Sequence, residues 1–346
     1  WYENDGNQNF TPRNVGSASR VGSIFAADVD ADGDMDLLSA SYSDDTIAWF
    51  ENNGNQTFTR NIITSTLDDP RSVYAADVDG DGDMDVIGAA SRANTYAWYE
   101  NDGNQSFTSR IIDSNASFAF DVTAVDLDGD GDMDIVGGAQ SADSVYWYEN
   151  DGNESFTKHI IANTADGFSS VIVADLDGDG DLDVASASVN DDEIAWYEND
   201  GSQNFTAHDI STTAAGASWV YAADVDGDAD MDVVSASNGD DTVAWYENEG
   251  FGVLFNDTDV EGDPLTAILV NGPSDGNLTL NPDGSFVYTP DPDFHGTDTF
   301  TYKANDGTAD SNVSTVTITV NAVNDDPVVV GESFVTSEGI PFTAEL

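Results

Sequence analysis

Asp77-Val78-Asp79-Gly80-Asp81-Gly82-Asp83-Met84-Asp85 is the stretch on which the reading of this chain turns. Carboxylates at positions 1, 3 and 5 of so tight a loop converge on one point, position 7 offers a backbone carbonyl, and a later acid, at position 9, closes the cage. An oxygen-only shell of this kind is what a hard cation such as calcium requires. Gly82, at position 6, permits the positive φ that lets the loop wrap an ion. On either side the polarity changes: Val73 to Val78 reads as a short apolar strand, and Met84 to Ala90 resumes as a second.

The loop recurs. Its first Asp falls at Asp28, Asp77, Asp126, Asp175 and Asp224, always 49 residues apart. Trp keeps the same interval at Trp49, Trp98, Trp147, Trp196 and Trp245, with a further copy at Trp1, 48 residues before Trp49, and only Trp219 lies off the ruler. Self-similarity at one fixed period across residues 1–249 marks a repeat architecture. Within the period, Thr95 to Glu100 alternates into Trp98-Tyr99, Asn101-Asp102-Gly103-Asn104 supplies a turn, and Ser106 to Ile112 alternates again. Four short strands without helical periodicity make one blade of a β-propeller, so the fold class is all-β. Four full blades lie between residues 21 and 212, residues 219–248 supply three strands of a fifth, and residues 1–15 supply a third-type and a fourth-type strand. If Phe10 to Val15 completes the last blade, the ring closes with five blades; otherwise the blades are an arc of a larger ring.

An EF-hand needs Glu at position 12 and flanking helices, whereas Gly88 stands there in this loop and strands flank it. With an acid at position 9 and strands on both sides, the loops resemble the FG-GAP or VCBS repeats of integrin-like propellers. That resemblance implies calcium in the hairpin between the first two strands of each blade, five ions in all. Carried over by position, the ligands are Asp28, Asp30, Asp32 and Asp36 with the Asp34 carbonyl, then Asp77, Asp79, Asp81 and Asp85 with the Asp83 carbonyl. The third loop supplies Asp126, Asp128, Asp130, Asp134 and the Asp132 carbonyl, and the fourth Asp175, Asp177, Asp179, Asp183 and the Asp181 carbonyl. The fifth supplies Asp224, Asp226, Asp228, Asp232 and the Asp230 carbonyl, with Ala229 in place of the glycine. An alanine in a left-handed conformation costs about 1 kcal/mol, which predicts that the fifth site is the weakest. Solvated acidic turns are the plain alternative, but five complete copies at one spacing are not what loop composition alone produces.

After Gly250 the 49-residue ruler stops, and alternating segments such as Ser285 to Thr289 and Thr315 to Val320 signal a β-sandwich. Val253-Leu254-Phe255-Asn256-Asp257-Thr258-Asp259, Asn281-Pro282-Asp283-Gly284-Ser285-Phe286-Val287-Tyr288 and Phe294-His295-Gly296-Thr297-Asp298-Thr299-Phe300 resemble the tandem cadherin-like Ig-fold repeats of large bacterial surface proteins. The expected organisation is a propeller over 1–249, a sandwich over 250–322, and over 323–346 the start of a further repeat or a swapped strand, in the same chain or a neighbouring one. The second resemblance implies further calcium candidates at Asp257, Asp259, Asp263, Asp298 and Asp306.

Composition narrows the partners. Across 346 residues, 67 Asp and Glu against 8 Lys and Arg leave a formal net charge of −59, which destabilises a compact chain unless cations neutralise it. Nucleic acid is excluded as a partner because phosphate binding needs clustered Lys and Arg. No segment approaches the roughly 20 apolar residues of a membrane helix. With no cysteine, neither disulfides nor thiolate metal sites are available. The chain opens inside a motif, at Trp1-Tyr2-Glu3-Asn4, and its first residues carry no signal-peptide profile, so an extracellular or cell-surface location rests on the family resemblances.

Catalysis would have to break the repeat symmetry, yet His159, His208 and His295 are scattered and no nucleophile or zinc-protease motif accompanies them. The reading is therefore a non-enzymatic, calcium-stabilised binding or adhesion module for an extracellular protein or glycan. A calcium-bearing domain of a polysaccharide-degrading enzyme and a purely structural spacer remain as alternatives. Ligand contacts are expected at the hairpin tips Ser41 to Asp45, Ser91 to Asn94, Ala142 to Ser144 and Asn190 to Glu193. The W-Y-E-N aromatics are assigned to packing between blades.

Overall fold

The computed structural model describes residues 1–4, 6–227, 230–248, 252–254, 257–259, 263–282 and 284–320, and all regular structure among them is β. Asp228, Ala229 and the segment 323–346 lie outside the described residues, and with them the expectations of a weak fifth site and a swapped tail. Contacts divide the chain into two compact units, Trp1–Gly250 and Phe251–Leu346.

The first unit opens with a hairpin, β1 (Tyr2–Asn4) and β2 (Phe10–Pro12). Four antiparallel four-stranded sheets follow in strict sequence order. The first is β3 (Val21–Ala27), β4 (Asp36–Ser41), β5 (Thr46–Asn52) and β6 (Phe58–Thr64); the second is β7 (Pro70–Ala76), β8 (Asp85–Ala90), β9 (Thr95–Asn101) and β10 (Phe107–Asp113). The third is β11 (Ala119–Val125), β12 (Asp134–Ala139), β13 (Ser144–Asn150) and β14 (Phe156–Ala162); the fourth is β15 (Phe168–Ala174), β16 (Asp183–Ser188), β17 (Glu193–Asn199) and β18 (Phe205–Ser211). A fifth sheet has three strands, β19 (Ala217–Ala223), β20 (Asp232–Ser237) and β21 (Thr242–Tyr246). The blade read from the sequence is present strand for strand, with its ends moved by up to three residues.

Hydrophobic cores form between blades rather than within them. Ile47 and Trp49 of the first blade pack with Val73, Val86 and Tyr99 of the second. Val145 and Trp147 of the third likewise meet Val171, Val184 and Tyr197 of the fourth. The second strand of each full inner blade is covered on both faces, so β8, β12 and β16 are buried end to end. Close approach selects small residues there: a Cβ on Gly138 would stand 2.3 Å from the Phe168 ring of the next blade. The inner strands of all five blades line one cavity of about 490 Å³.

Among the described residues, the amino-terminal strand does not act as a clasp that closes five blades. β2 pairs with β1, in the register Tyr2↔Pro12, and the fifth sheet ends at β21. Joining two strands across a short turn, where Gly6 and Gln8 have φ of 77° and 66°, closes a far smaller loop than joining residues 10 and 246. An Arg13–Glu3 ion pair of 2.6 Å fastens the local hairpin.

In the second unit, β22 (Thr266–Asn271), β25 (Gly296–Asn305) and β26 (Ser314–Val320) form one sheet, and β23 (Gly276–Leu280) and β24 (Phe286–Pro290) a hairpin. Phe286 of the hairpin meets Phe300 of the sheet edge-on, 5.2 Å between ring centres, over a core that includes Ala267, Tyr302 and Ala304.

Candidate metal centres

Each acidic loop joins the first and second strands of its blade, and its shape is made by its own carboxylates. In the second loop, Asp77 Oδ2 accepts from Gly82 N (3.0 Å), Asp79 Oδ1 from Asp81 N (3.2 Å) and Asp81 Oδ1 from Asp83 N (2.9 Å). These short-range bonds curl the backbone and leave other oxygens free to face inward. A carboxylate oxygen from each of Asp77, Asp79 and Asp85 lies within 4.8 Å of the other two, and the same holds for Asp126, Asp128 and Asp134 and for Asp175, Asp177 and Asp183. In the first loop the trio is Asp28, Asp30 and Asp32. Asp36, the acids at position 7, those at position 5 beyond the first loop, and the fifth loop are not among these named trios, whereas Asp79 also forms one with Glu100 and Glu154.

The donor set fits calcium, and the fit rests on orphaned atoms. Oδ1 of Asp77, Oδ1 of Asp126 and Oδ1 of Asp30 are buried without a hydrogen-bond partner. A buried carboxylate oxygen left unpaired is costly unless a cation or proton meets it. Burial, reinforced by neighbouring acids, raises the Asp30, Asp79 and Asp128 carboxyls above the usual range, and brings Asp177 to about 6.

The acid at position 9 has a second task. Asp85 Oδ2 accepts from Val78 N (3.1 Å) and Oδ1 from Asn101 N (2.7 Å), which ties the loop to the end of the third strand. Asp36, Asp134, Asp183 and Asp232 repeat both bonds in their own blades. Burial pushes the Asp85 carboxyl up to about 7 and that of Asp134 to about 6, against the opposing pull of those N–H groups. Asp232 runs the other way: desolvation opposes ionisation there too, but the N–H groups of Asn248 and Val225 and the neighbouring donors together outweigh it and hold the carboxyl below the ordinary value. Asp232 belongs to the fifth sheet, on which no further blade packs among the described residues.

The family model of the FG-GAP-like repeat matches residues 28–88, 77–137, 126–186 and 175–235, four overlapping copies that step by 49 residues, as the loops do. This chain belongs to the FG-GAP-like repeat family. A bacterial cadherin-like domain model matches residues 229–322, so an FG-GAP-like repeat array is joined to a cadherin-like domain. Among curated protein sequences none matches. Solved structures similar in part include a functionally unknown protein from Desulfotomaculum acetoxidans (12% identity, 86% of each chain covered, TM-score 0.47). A catalytically inactive virginiamycin B lyase from Staphylococcus aureus also aligns (11% identity, 90% of this chain and 86% of that one, TM-score 0.47). At such values neither likeness bears on function.

Within the FG-GAP-like repeats, the Asn of W-Y-E-N links neighbouring acidic loops, a role that the sequence reading missed. Asn150 Nδ2 donates to Val78 O in the preceding blade's loop (2.9 Å) and to Met133 O in its own (3.1 Å). Asn101 and Asn248 repeat the cross-blade bond to Val29 O and Leu176 O. Its fixed place in every repeat, at Asn52, Asn101, Asn150, Asn199 and Asn248, was the available signal. The side chain at position 7 has a contact of its own. The Asp83 side chain abuts Gly103 in the turn between the third and fourth strands, where an added Cβ would lie 2.4 Å from its Oδ2.

The aromatics of W-Y-E-N pack between blades, with Trp49, Trp98 and Trp147 buried. The following Glu is engaged on the outer strand: Glu100 by Arg110 (2.5 Å), Glu149 by His159 and Glu198 by His208 (both 2.7 Å). His159 and His208 also stack on Trp147 and Trp196, centres 4.6 Å apart, which gives both a structural role. At the hairpin tips, Asp45, Asn94, Asp143 and Asp192 accept N–H bonds from Asp69, Phe118, Gly167 and Gly216 ahead of the next blade. Those four side chains fasten blades to each other.

In the cadherin-like domain, Asp257, Asp259 and Asp306 line one polar cavity of about 430 Å³ together with Asp310. Asp263 is tied to this group through its N–H to Asp259 Oδ1 (3.0 Å). Asp298 is elsewhere. It accepts from Ser274 N, Asp275 N, Thr299 N and Tyr288 Oη, and those donors, prevailing over burial, hold its carboxyl down at about 2. Its acceptor capacity is spent on the turn, which removes it from the metal candidates.

Proposed function

We propose that the chain is a calcium-stabilised, non-enzymatic binding module of an extracellular or cell-surface protein, with a protein or glycan as its ligand. The observation that carries the reading is the repetition, in successive blades, of converging carboxylates with buried, partnerless oxygens at Asp30, Asp77 and Asp126. Calcium bound there supplies the positive charge that so acidic a chain otherwise lacks. The carboxylates at positions 1 and 3 would hold it, the position-9 acid would link it to the third strand, and the W-Y-E-N Asn would couple neighbouring loops. Metal and blade packing would then support one another.

FG-GAP-like and bacterial cadherin-like domains typically occur in extracellular or surface proteins, which supports the location. No helix among the described residues is long and apolar enough to cross a membrane. A catalytic role is disfavoured by the state of the one acid in the cavity along the inner strands. Asp121 already accepts from Ser72, Val122 and Val171 and has little capacity left for a substrate.

The test is thermal unfolding with and without a chelator, together with a count of bound calcium per chain. The proposal expects about five ions in the repeats, one per loop of the family's ligand pattern, and a large fall in the unfolding midpoint when they are removed. A fold indifferent to chelation would overturn it.

A further inference from the structure

Positions that keep one residue type in every blade serve the shared fold, so a binding site is to be sought where equivalent positions differ. Three such positions come together where the first three blades meet, at the opposite end of β7 from its acidic loop. Arg71 stands where the other blades carry Gly22, Phe120, Ser169 and Ser218, and Asp69 where they carry Arg20, Phe118, Gly167 and Gly216. Tyr42 stands where they carry Ser91, Gln140, Val189 and Asn238.

The Arg71 guanidinium lies over the Tyr42 ring of the first blade, 4.5 Å from its centre, and 5.9 Å from the centre of Phe120 in the third. Its Nη2 donates to Asp69 Oδ2 (2.9 Å) and its Nε to Ser91 Oγ (3.3 Å), while that hydroxyl donates to the same Asp69 oxygen (2.6 Å). Phe118 stacks beside Phe120, their planes 15° apart. Two features go beyond packing. Phe118 has a φ of 63°, in the left-handed region where the fourth and fifth blades place Gly167 and Gly216 at 71° and 64°. A bulky side chain is rarely held there, and strain of this kind collects at functional sites. Asp69, 1% exposed, keeps Oδ1 buried without a hydrogen-bond partner, an acceptor for which the described residues supply no donor.

We propose that Tyr42, Asp69, Arg71, Phe118 and Phe120 form a binding site for a neutral glycan. Such a site rests on the binding-module reading above and narrows its ligand from protein or glycan to glycan. Aromatic rings take the C–H face of a sugar, and the Arg71–Asp69 pair sets donors beside acceptors, as adjacent hydroxyls require. Nη1 of Arg71 has no partner, and the side chain is 25% exposed. The charges of Arg71 and Arg92 are already met by Asp69 and Asp68, and a chain of net charge −59 repels an anionic polymer, so the sugar is uncharged. Tyr42 and Ser91 also belong to two of the hairpin tips at which the sequence places ligand contacts.

The test uses the full chain in calcium, labelled at its amino terminus, on an array of neutral, sialylated and uronate-bearing glycans. Calorimetry with the soluble form of the best-retained glycan follows. Each variant installs what the same fold carries in another blade: Tyr42→Asn as in the fifth, Phe118→Gly as in the fourth, and Asp69→Gly with Arg71→Ser as in the fourth. The array should retain a neutral glycan, and each variant should bind it roughly ten-fold or more weakly. Phe118→Gly should lose affinity while keeping its unfolding midpoint, because glycine relieves the left-handed strain. An array that retains no glycan or only acidic ones, or an affinity that survives these replacements, would overturn the proposal. Chelator-sensitive unfolding is measured apart from glycan retention, so the calcium reading and the glycan site can fail separately.

Discussion

Ser72 Oγ donates to Asp121 Oδ1 across 2.8 Å, and the two residues are 49 positions apart, the same place in consecutive blades. The other Asp121 oxygen accepts from Val171 N in the blade after, so one side chain spans three blades. Equivalent positions hold Ser23, Ser72, Ser170 and Trp219, so the carboxylate is unique to the middle blade. Burial raises its pKa above the ordinary carboxylate range, against the pull of Ser72 and the N–H groups that hold it. Replacing Asp121 with Asn turns one acceptor into a donor facing Val171 N and should cost about 1–3 kcal/mol. Urea unfolding in saturating calcium measures this cost, and a neutral result would mean that the three-blade staple is dispensable.

Without metal, stability should fall as pH rises. Asp85 and Asp134 titrate at about 7 and about 6 in the fold, above the ordinary 3.9 or so of an unfolded Asp. Between those limits the folded chain holds more protons than the unfolded one, so raising the pH removes stability until both groups are ionised. Under the proposed function, calcium would take the place of those protons. Melting scans from pH 5 to pH 8 in buffer stripped of divalent metal should show a falling midpoint, and excess calcium should widen its advantage as pH rises. A midpoint that climbs across this range without metal would contradict the burial of the position-9 acids.

Position 4 of the loops is left-handed as well as position 6. Gly80, Gly129 and Gly178 have φ of 74°, 75° and 75°, and Ala31 holds the same place in the first loop at 57°. Ala31→Gly should relieve strain worth about 1 kcal/mol after the extra flexibility of glycine is discounted, and Gly80→Ala should cost a similar amount. A Cβ on Gly80 would meet nothing within 4 Å, so the backbone alone sets that cost. Calcium titration and denaturant unfolding of both variants read the two signs.

Asn150→Ala strands the Val78 carbonyl of the preceding blade and should cost about 1–3 kcal/mol. Asn199 donates only within its own blade, to Leu182 O, so Asn199→Ala is the matched control and should cost less. Equal losses would show that the cross-blade bond adds nothing. Denaturant midpoints of the two variants decide it.

Much was legible in the sequence because much of this molecule is local. The blade was readable from alternating strands and short turns, and the loops from nine consecutive residues with acids at alternate places. Asp298 was misread as a metal candidate because its partners Ser274 and Asp275 approach from 24 and 23 residues away. The amino-terminal clasp failed for the opposite reason, since Phe10–Pro12 had a strand partner close at hand in Tyr2–Asn4.

The amino-acid sequence by itself determined the 49-residue period, the four-strand blade and the carboxylate loops, because spacing along the chain fixes which backbone can turn and which side chains converge. Only the tertiary structure decided which residues of neighbouring blades share each core, and that the position-9 acid and the W-Y-E-N Asn lock the loops. Each of those features depends on a neighbour a full repeat or more away, and burial, hydrogen bonding and acidity all change with whether that neighbour is present. Asp85 and Asp232 stand at the same place in the same motif, yet burial prevails at one and hydrogen bonding at the other, which sends their acidities in opposite directions.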